Sequence, residues 1–104
     1  MKTINIAKDY TLYPGGRYPV DGPYSGEDFR TKFLQPYLAS GEDIIIELDG
    51  TRGYGSSFLE EAFGGLVRCG FTAENILKKI KLITNRTSLV EEVEEYIKAA
   101  QQTG

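Results

Sequence analysis

The chain has 104 residues, of which 40% are hydrophobic and 26% charged, and its formal net charge is −3. This length fits one globular domain over residues 1–104, and the negative charge disfavours a general nucleic-acid binder. No apolar run approaches the roughly 18 residues of a membrane span, and histidine, the usual general base and commonest metal ligand, is absent. We therefore expect a non-enzymatic protein with no metal or cofactor that binds neither nucleic acid nor membranes. The single cysteine, Cys69, excludes an intrachain disulfide and favours a cytoplasmic location.

The first quarter of the chain predicts one strand followed by turns. Residues 3–10 alternate apolar and polar side chains, which indicates a half-buried strand. Three prolines and three glycines within residues 13–24 favour turns, with a short edge strand at residues 17–20. This stretch could form a hydrophobic lid over the core or an exposed patch for a partner, because it is dense in tyrosine. The tyrosines before the first helix are Tyr10, Tyr13, Tyr18 and Tyr24.

Three serines mark predicted helix starts. Ser25, Ser57 and Ser88 each stand three residues before an acidic residue, which is the arrangement of a capping box. Pro36 predicts a kink or a changed last turn in the first helix, because proline lacks the backbone donor. The pair Gly64-Gly65 lies inside the second helix at a cost in helix propensity, which predicts close approach of a neighbouring element.

Strands are predicted at residues 43–48 and 79–84, between these helices. The first of them is almost continuously apolar, which is typical of a parallel strand buried on both faces. A short turn or helix at residues 72–77 precedes the second. The sequence therefore predicts one α/β domain with a mixed, mainly parallel sheet of about four strands and three main helices.

The candidate site follows the strand at residues 43–48. A glycine-rich loop delivers Ser56 and Ser57 to a helix start at the carboxyl end of that strand, where ligands usually bind in open α/β sheets. Ser57 alone is sufficient to cap the helix, so capping does not account for Ser56. A phosphoryl group on Ser56 would be stabilised by the helix N-terminus. Arg17 and Arg52 lie on loops beside glycines, where a guanidinium either clamps an anion or pairs with nearby aspartates.

Part of this stretch resembles a known family. The runs Ile44 to Asp49, Gly55-Ser56-Ser57-Phe58-Leu59 and Gly64-Gly65-Leu66 are similar to the strand–loop–helix signature of STAS domains, which occur in sulfate-transporter tails and anti-sigma factor antagonists. In that family an Asp-Ser-Ser-Gly-Leu run follows a strand, and a partner kinase reads its first serine as a phosphorylation switch. The resemblance implies that Ser56 is the phosphoacceptor.

A longer resemblance is to small bacterial STAS-like proteins of unassigned function, and it covers most of the chain. It rests on Gly16-Arg17-Tyr18, on the run from Asp21 to Glu27, on Phe29-Arg30 and on the run from Tyr54 to Leu66. It implies a STAS-like fold.

The function we predict is a non-enzymatic cytoplasmic regulatory or protein-interaction module whose partner is a serine kinase or ATPase of the type that reads STAS domains. Ser56 is the predicted switch. The sequence leaves the oligomeric state open. The residues predicted to bind the partner or an anion are Arg17, Arg52, Tyr54, Gly55, Ser56, Ser57 and Phe58.

Three alternatives remain at this point. The first is a sensor that binds a phosphate or carboxylate ligand at Ser56 and Ser57, with Arg17 or Arg52 as counter-charge. The second is an enzyme with a serine nucleophile and Asp49 as base, which is disfavoured because aspartate is a weak base near neutral pH. The third is a Mg²⁺ site formed by aspartates at one sheet edge.

Overall fold

The computed structural model describes residues 1–103, and it contains one parallel sheet. Within that range the strands are β1 (Lys2–Asn5), β2 (Ile44–Glu47) and β3 (Ile80–Ile83), with β2 in the centre. Ile46 lies opposite Ile4 on one side and Leu82 on the other. The α/β class and the parallel arrangement predicted from the sequence are confirmed, and the carboxyl ends of all three strands meet at one edge of the sheet.

The prediction of about four strands in a mixed sheet was wrong at the N-terminal segment. The expected edge strand at residues 17–20 is replaced by a 3₁₀ turn, Pro19–Asp21. The carboxylate of Asp21 accepts from the backbone N–H groups of Arg17 and Tyr18 at 3.2 and 3.0 Å. Because these donors are satisfied locally and Pro19 lacks one, the segment has little left to pair with a sheet.

The predicted strand at residues 3–10 is also shorter than expected. It ends at Asn5, and helix α1 (Ile6–Asp9) follows directly. The side chain of Asn5 accepts from the N–H of Lys8 at 3.0 Å, while Asp9 accepts from the N–H of Asn5 at 2.8 Å. These two side chains cap the turn from both directions, which stabilises a helix where the alternating pattern favoured a strand.

Two longer helices carry a π-helical segment in the middle. Helix α2 (residues 26–39) consists of Gly26–Phe29, the π segment Arg30–Leu34 and Gln35–Ala39. Helix α3 (residues 56–68) consists of Ser56–Leu59, the π segment Glu60–Gly64 and Gly65–Arg68. The irregular geometry predicted near Pro36 is present, since the first π segment lies just before it. Such segments interrupt the regular backbone hydrogen bonding of a helix.

The remaining helices are α4 (Ala73–Lys79) and α5 (Thr87–Thr103). Ser88 lies inside α5 and not at the predicted cap, because the helix begins one residue earlier. Ser57 likewise lies inside α3, whose N-cap position is Gly55. Only the start of α2 follows the predicted serine cap, with Ser25 accepting from the N–H of Asp28 at 3.2 Å. No helix within residues 1–103 is long and apolar enough to span a membrane.

The core lies between the helices and one face of the sheet. Ile44 and Ile46 of β2 are fully buried on that face, whereas Ile45 and Glu47 on the other face are only half-buried. The prediction that β2 is buried on both faces was therefore wrong for the second face. The neighbours of Ile45 across the sheet are a threonine and a lysine, both exposed, so this face is covered only in part.

Glycines allow α2 and α3 to pack closely. A Cβ atom on Gly26 would lie 2.5 Å from the backbone oxygen of Phe58, and one on Gly65 would collide with the guanidinium of Arg30. A Cβ atom on Gly64 would lie 2.5 Å from the carboxylate of Glu60. The close approach predicted for Gly64-Gly65 is confirmed, and a buried arginine occupies the space.

Candidate partner-binding site

An open cleft of about 620 Å³ lies between the N-terminal loop and the start of α3. The loop is fixed to the segment after β2 by backbone hydrogen bonds. Arg52 N donates to the oxygen of Leu12 at 2.8 Å, and Gly55 N donates to the oxygen of Pro14 at 3.1 Å. We call this feature the serine cleft. Its lining residues are Gly16, Arg17, Tyr18, Asp21, Gly55, Ser56 and Ser57.

Ser56 and Ser57 are both exposed in the serine cleft. Gly55 occupies the N-cap position of α3 in an extended conformation, and no side-chain hydrogen bond caps this helix. Within residues 1–103 neither serine hydroxyl makes a hydrogen bond to the protein. The sequence predicted that Ser57 caps the helix and that Ser56 does not. In the structure both hydroxyls are accessible.

Tyr54 and Phe58 flank the serines and point toward the interior. Tyr54 is half-buried, and its hydroxyl donates to the backbone oxygen of Leu48 at 2.6 Å. Burial raises the pKa of Tyr54 to about 12. Phe58 is fully buried against Phe29, with ring centroids 5.8 Å apart. Its predicted place in a binding surface is corrected here, because the third position of α3 belongs to the apolar stripe that faces the core.

Arg17 belongs to a group of five charged residues that joins the N-terminal loop to α2 and α3. Its guanidinium binds the carboxylates of Glu60 and Glu61, and the second contact measures 3.2 Å. Arg68 binds the same two carboxylates at 2.8 and 3.2 Å. Arg30 binds the carboxylate of Glu61 at 2.5 Å and its backbone oxygen at 2.9 Å. We call these five residues the charge network.

The charge network is strongly held at its centre. Arg30 and Glu61 are 7% and 5% exposed, and Glu61 contacts all three guanidinium groups. Hydrogen bonds from Arg68, and then from Arg17, lower the pKa of Glu60. The sequence predicted that Arg17 would pair with an aspartate if it did not bind an anion. It pairs instead with glutamates 43 and 44 positions away in the sequence. A local sequence pattern does not predict a contact over such a distance along the chain.

Arg52 and Asp49 do not join the serine cleft. Arg52 is exposed and does not line it. Asp49 accepts from the hydroxyl of Thr84 at 2.6 Å and from Asn85 N at 3.0 Å, and these bonds lower its pKa. Asp49 therefore connects the segments that follow β2 and β3. Within residues 1–103 no three acidic or thiol side chains are grouped so that they could hold a metal ion.

The four tyrosines of the N-terminal segment divide between the two predicted roles. Tyr10 is half-buried among the rings of Phe29 and Phe33, and its hydroxyl donates to the oxygen of Ser25 at 2.9 Å. The other three are exposed, together with two aliphatic residues of the same segment. Val20 is 90% exposed and Tyr13 is 67% exposed. We call the exposed set the apolar rim, and it comprises Leu12, Tyr13, Tyr18, Val20 and Tyr24.

The apolar rim lies beside the serine cleft, and Tyr18 belongs to both. Sequence reasoning singled out the tyrosines but missed Leu12 and Val20. Val20 lies within the turn at Pro19–Asp21, which replaced the expected strand. A strand would have placed alternate side chains against the core.

Comparisons with known proteins give one family. A family model described as a STAS-like domain of unknown function matches residues 25–88. Searches of the curated proteins and of the solved structures found no match. The matched region covers more than half of the chain and contains Ser56 and Ser57, whereas Arg17 and the apolar rim precede it.

Proposed function

Because the chain belongs to the family of STAS-like domains of unknown function, we propose that it is a cytoplasmic regulatory module that binds another protein and catalyses no reaction. The observation that carries the proposal is the concentration of exposed apolar side chains beside two accessible serines. Five of the large hydrophobic residues that are exposed lie within residues 12–24. Contiguous exposed apolar groups with a polar border are typical of protein-interaction sites.

The proposed binding surface consists of the apolar rim and the exposed start of α3. Tyrosine is enriched at protein interfaces because it offers a large apolar body and a polar end. Tyr13, Tyr18 and Tyr24 supply such groups, and Val20 supplies an almost fully exposed apolar side chain. Ser56 and Ser57 supply hydroxyls at the adjoining cleft. This composition suits a protein partner better than a small polar ligand.

We further propose that phosphorylation of Ser56 controls binding at this surface, and that the partner is a serine kinase or ATPase. A phosphoryl group adds a charge of about −1.5 to −2 at neutral pH. In the serine cleft it would repel Asp21 and compete with Glu60 and Glu61 for Arg17. Arg17 and Asp21 both belong to the segment that carries the apolar rim. The modification would therefore change the conformation of the rim as well as the charge of the cleft.

The interaction half of the proposal is tested by site-specific photocrosslinking in the host cell. A photoreactive amino acid at Val20, the most exposed residue of the apolar rim, is expected to capture one discrete partner. The matched control carries the same group at Lys98, an exposed position on α5 outside the proposed surface. Equal capture from both positions, or none from position 20, would refute a binding role for the rim.

The switch half is tested by phosphopeptide mass spectrometry on the protein incubated with the kinase identified by crosslinking. Phosphate is expected on Ser56 in the native chain and in Ser57→Ala, and is expected to be absent in Ser56→Ala. Ser57→Ala is the matched control, because both serines are exposed in the same cleft. A native chain that remains unmodified, or one modified on Ser57 alone, would end the assignment of Ser56.

A second candidate function is a sensor that binds a phosphorylated or carboxylated metabolite in the serine cleft. The presence of Arg17 beside Ser56 and Ser57 favours it. Against it, Arg17 is already bound to Glu60 and Glu61, and Asp21 adds negative charge to the cleft. A thermal-shift screen of phosphorylated metabolites separates the two functions. Stabilisation that Arg17→Gln abolishes would favour the sensor over the interaction module.

A further inference from the structure

The charge network holds one more positive than negative charge. Three guanidinium groups, those of Arg17, Arg30 and Arg68, surround the two carboxylates of Glu60 and Glu61. The balance of charge therefore permits one arginine to leave the network while each carboxylate keeps a partner.

Arg30 and Arg68 are sufficient to pair both carboxylates. The guanidinium of Arg68 donates to both oxygens of Glu60, at 2.8 and 3.0 Å, which is the bidentate geometry of a strong pair. Arg30 is 7% exposed and donates to the carboxylate of Glu61 at 2.5 Å. Arg17 adds a further contact to carboxylates that already have partners, and 32% of its side chain is exposed. Both carboxylates stay paired when Arg17 is removed from the network.

Ser56 lies one helical turn before a carboxylate that Arg17 binds. The backbone N–H of Glu60 donates to the oxygen of Ser56, so the two residues are neighbours on the surface of α3. Arg17 and Ser56 also line the same cleft. The backbone of Arg17 is held in place, because its oxygen accepts from the N–H of Glu27 at 3.0 Å. Rotation of the arginine side chain is therefore enough to bring its guanidinium to a group on Ser56.

We propose that Arg17 changes its partner when Ser56 is phosphorylated, from the carboxylates of Glu60 and Glu61 to the phosphoryl group. This inference rests on the phosphorylation proposed above and adds the residue that responds to it. A phosphoryl group carries a charge of about −1.5 to −2 and three acceptor oxygens, and a guanidinium binds it in bidentate geometry. The phosphoryl group is therefore the stronger partner for Arg17 than a carboxylate that it shares with other arginines.

The exchange also relieves a repulsion that phosphorylation creates. Negative charges four residues apart on a helix destabilise it, and a phosphoryl group on Ser56 would stand in this relation to Glu60. The guanidinium of Arg17, placed on the phosphoryl group, reduces this repulsion.

The consequence of the exchange is confined to the N-terminal loop. Arg17 is the member of the charge network that lies on this loop, whereas Arg30 lies on α2 and the other three members lie on α3. Its departure removes the ion pairs between the loop and α3 and leaves the pair between Arg30 and Glu61 intact. The state of Ser56 is thereby transmitted to the loop that carries the apolar rim.

The first test measures whether Arg17 binds the phosphoryl group, in the full chain with phosphoserine incorporated at position 56 during translation. The second ionisation of phosphoserine has a pKa of about 6, and a guanidinium in contact with it favours the charged form. Arg17→Gln is therefore expected to raise the midpoint of a ³¹P nuclear magnetic resonance titration by about one pH unit. The matched control is Arg52→Gln, which removes an exposed arginine outside the serine cleft and is expected to leave the midpoint unchanged. Equal midpoints for the two variants would overturn the proposal.

The second test measures whether Arg17 leaves Glu60. A double-mutant cycle of Arg17→Gln and Glu60→Gln, followed by urea denaturation, gives the coupling between the two side chains. The coupling is expected in the unmodified chain and is expected to fall by at least about half when position 56 carries phosphoserine. The control cycle of Arg68→Gln and Glu60→Gln is expected to retain its coupling in both chains. A coupling between Arg17 and Glu60 that is absent from the unmodified chain, or that phosphoserine leaves unchanged, would overturn the exchange.

These tests separate the exchange from the switch on which it rests, because neither of them uses the kinase. If they fail while mass spectrometry finds phosphate on Ser56, the switch remains and Arg17 is not the residue that responds to it. If the kinase leaves Ser56 unmodified, the switch itself is wrong, and the exchange loses its role in the cell.

Discussion

Helices α2 and α3 have nearly the same design and opposite surroundings at their starts. Each begins with four α-helical residues, continues through five π-helical residues and returns to α geometry. Ser25 precedes α2 and is fully buried, where it caps the backbone of Asp28. Ser56 opens α3 and is exposed with a hydroxyl that caps nothing within residues 1–103. The same residue type at similar places is structural in one helix and accessible in the other.

The N-terminal loop is the cause of this difference. Its backbone oxygens accept from the first amides of α2, with Gly26 N bonded to Gly16 and Glu27 N bonded to Arg17, both at 3.0 Å. Tyr10 covers the same helix start through its hydrogen bond to Ser25. The loop therefore closes the start of α2 and only borders the start of α3. A surface left open in this way is available for binding, which is why the proposal is placed at α3.

Breaking the contact between the two helices is expected to have the largest effect. Arg30→Met keeps much of the side-chain volume but removes the charge that binds Glu61, a residue only 5% exposed. Removing one partner of a buried ion pair costs about 3–5 kcal/mol. The low end, about 3 kcal/mol, is expected because Arg17 and Arg68 remain 3.2 Å from the same carboxylate. Urea denaturation measures this loss in the free energy of unfolding.

The control for that experiment is Arg52→Met, which removes an exposed arginine without an ion pair within residues 1–103. Surface substitutions of this kind change the free energy of unfolding by no more than about 0.5 kcal/mol. Equal effects of the two substitutions would contradict the central place given to the charge network.

Alkaline pH is expected to produce the next largest loss in the free energy of unfolding. In this respect the two helix starts are alike, because each has a half-buried tyrosine beside it. Burial is the main cause that raises the pKa of Tyr10, beside α2, and of Tyr54, before α3, to about 12 each. The folded pKa lies above the unfolded value of about 10, so the unfolded chain loses these protons first. The stabilisation is complete below pH of about 10 and disappears as the pH rises towards about 12.

Urea denaturation at several pH values measures this dependence. Tyr10→Phe is expected to reduce its slope, since it removes one of the groups responsible. Tyr13→Phe is the matched control, because that side chain is 67% exposed and its hydroxyl makes no hydrogen bond within residues 1–103. If the free energy of unfolding stayed constant between pH of about 10 and about 12, Tyr10 and Tyr54 would ionise equally in the folded and unfolded states.

The smallest effects compare the serines directly. Ser25→Ala removes a buried cap and is expected to lower the free energy of unfolding by about 1 kcal/mol. Ser57→Ala removes a hydroxyl without a protein partner and is expected to change it by less than about 0.5 kcal/mol. Thermal denaturation of both variants beside the native chain is the measurement. If Ser57→Ala proved as costly as Ser25→Ala, its hydroxyl would be capping α3 in solution.

Local patterns in the sequence were sufficient for the elements that have a strong period or a clear cap. Strand β2 and strand β3 lie within the predicted segments, because branched apolar runs favour strands wherever they occur. The cap at Ser25 was predicted from the acidic residue three positions later. The strand expected at residues 17–20 failed because the carboxylate of Asp21 satisfies the nearby backbone donors.

The candidate site was predictable only in part. The glycine-rich loop before Ser56 predicted accessible hydroxyls, because loops at the carboxyl ends of parallel strands are where ligands usually bind. Phe58 was wrongly assigned to the surface, although its position in the apolar stripe already indicated burial. The contacts of Arg17 with Glu60 and Glu61 could not be predicted, because the partners come from distant parts of the chain.

The sequence by itself determined the α/β class, the positions of β2 and β3 and the serines at the start of α3. These features depend on interactions among neighbours along the chain. Only the tertiary structure decided which serine is covered, where Arg17 finds its carboxylates and which hydrophobic residues remain exposed. The physical reason is that burial and charge pairing depend on packing between distant segments, and the N-terminal loop can cover only one of two similar helix starts.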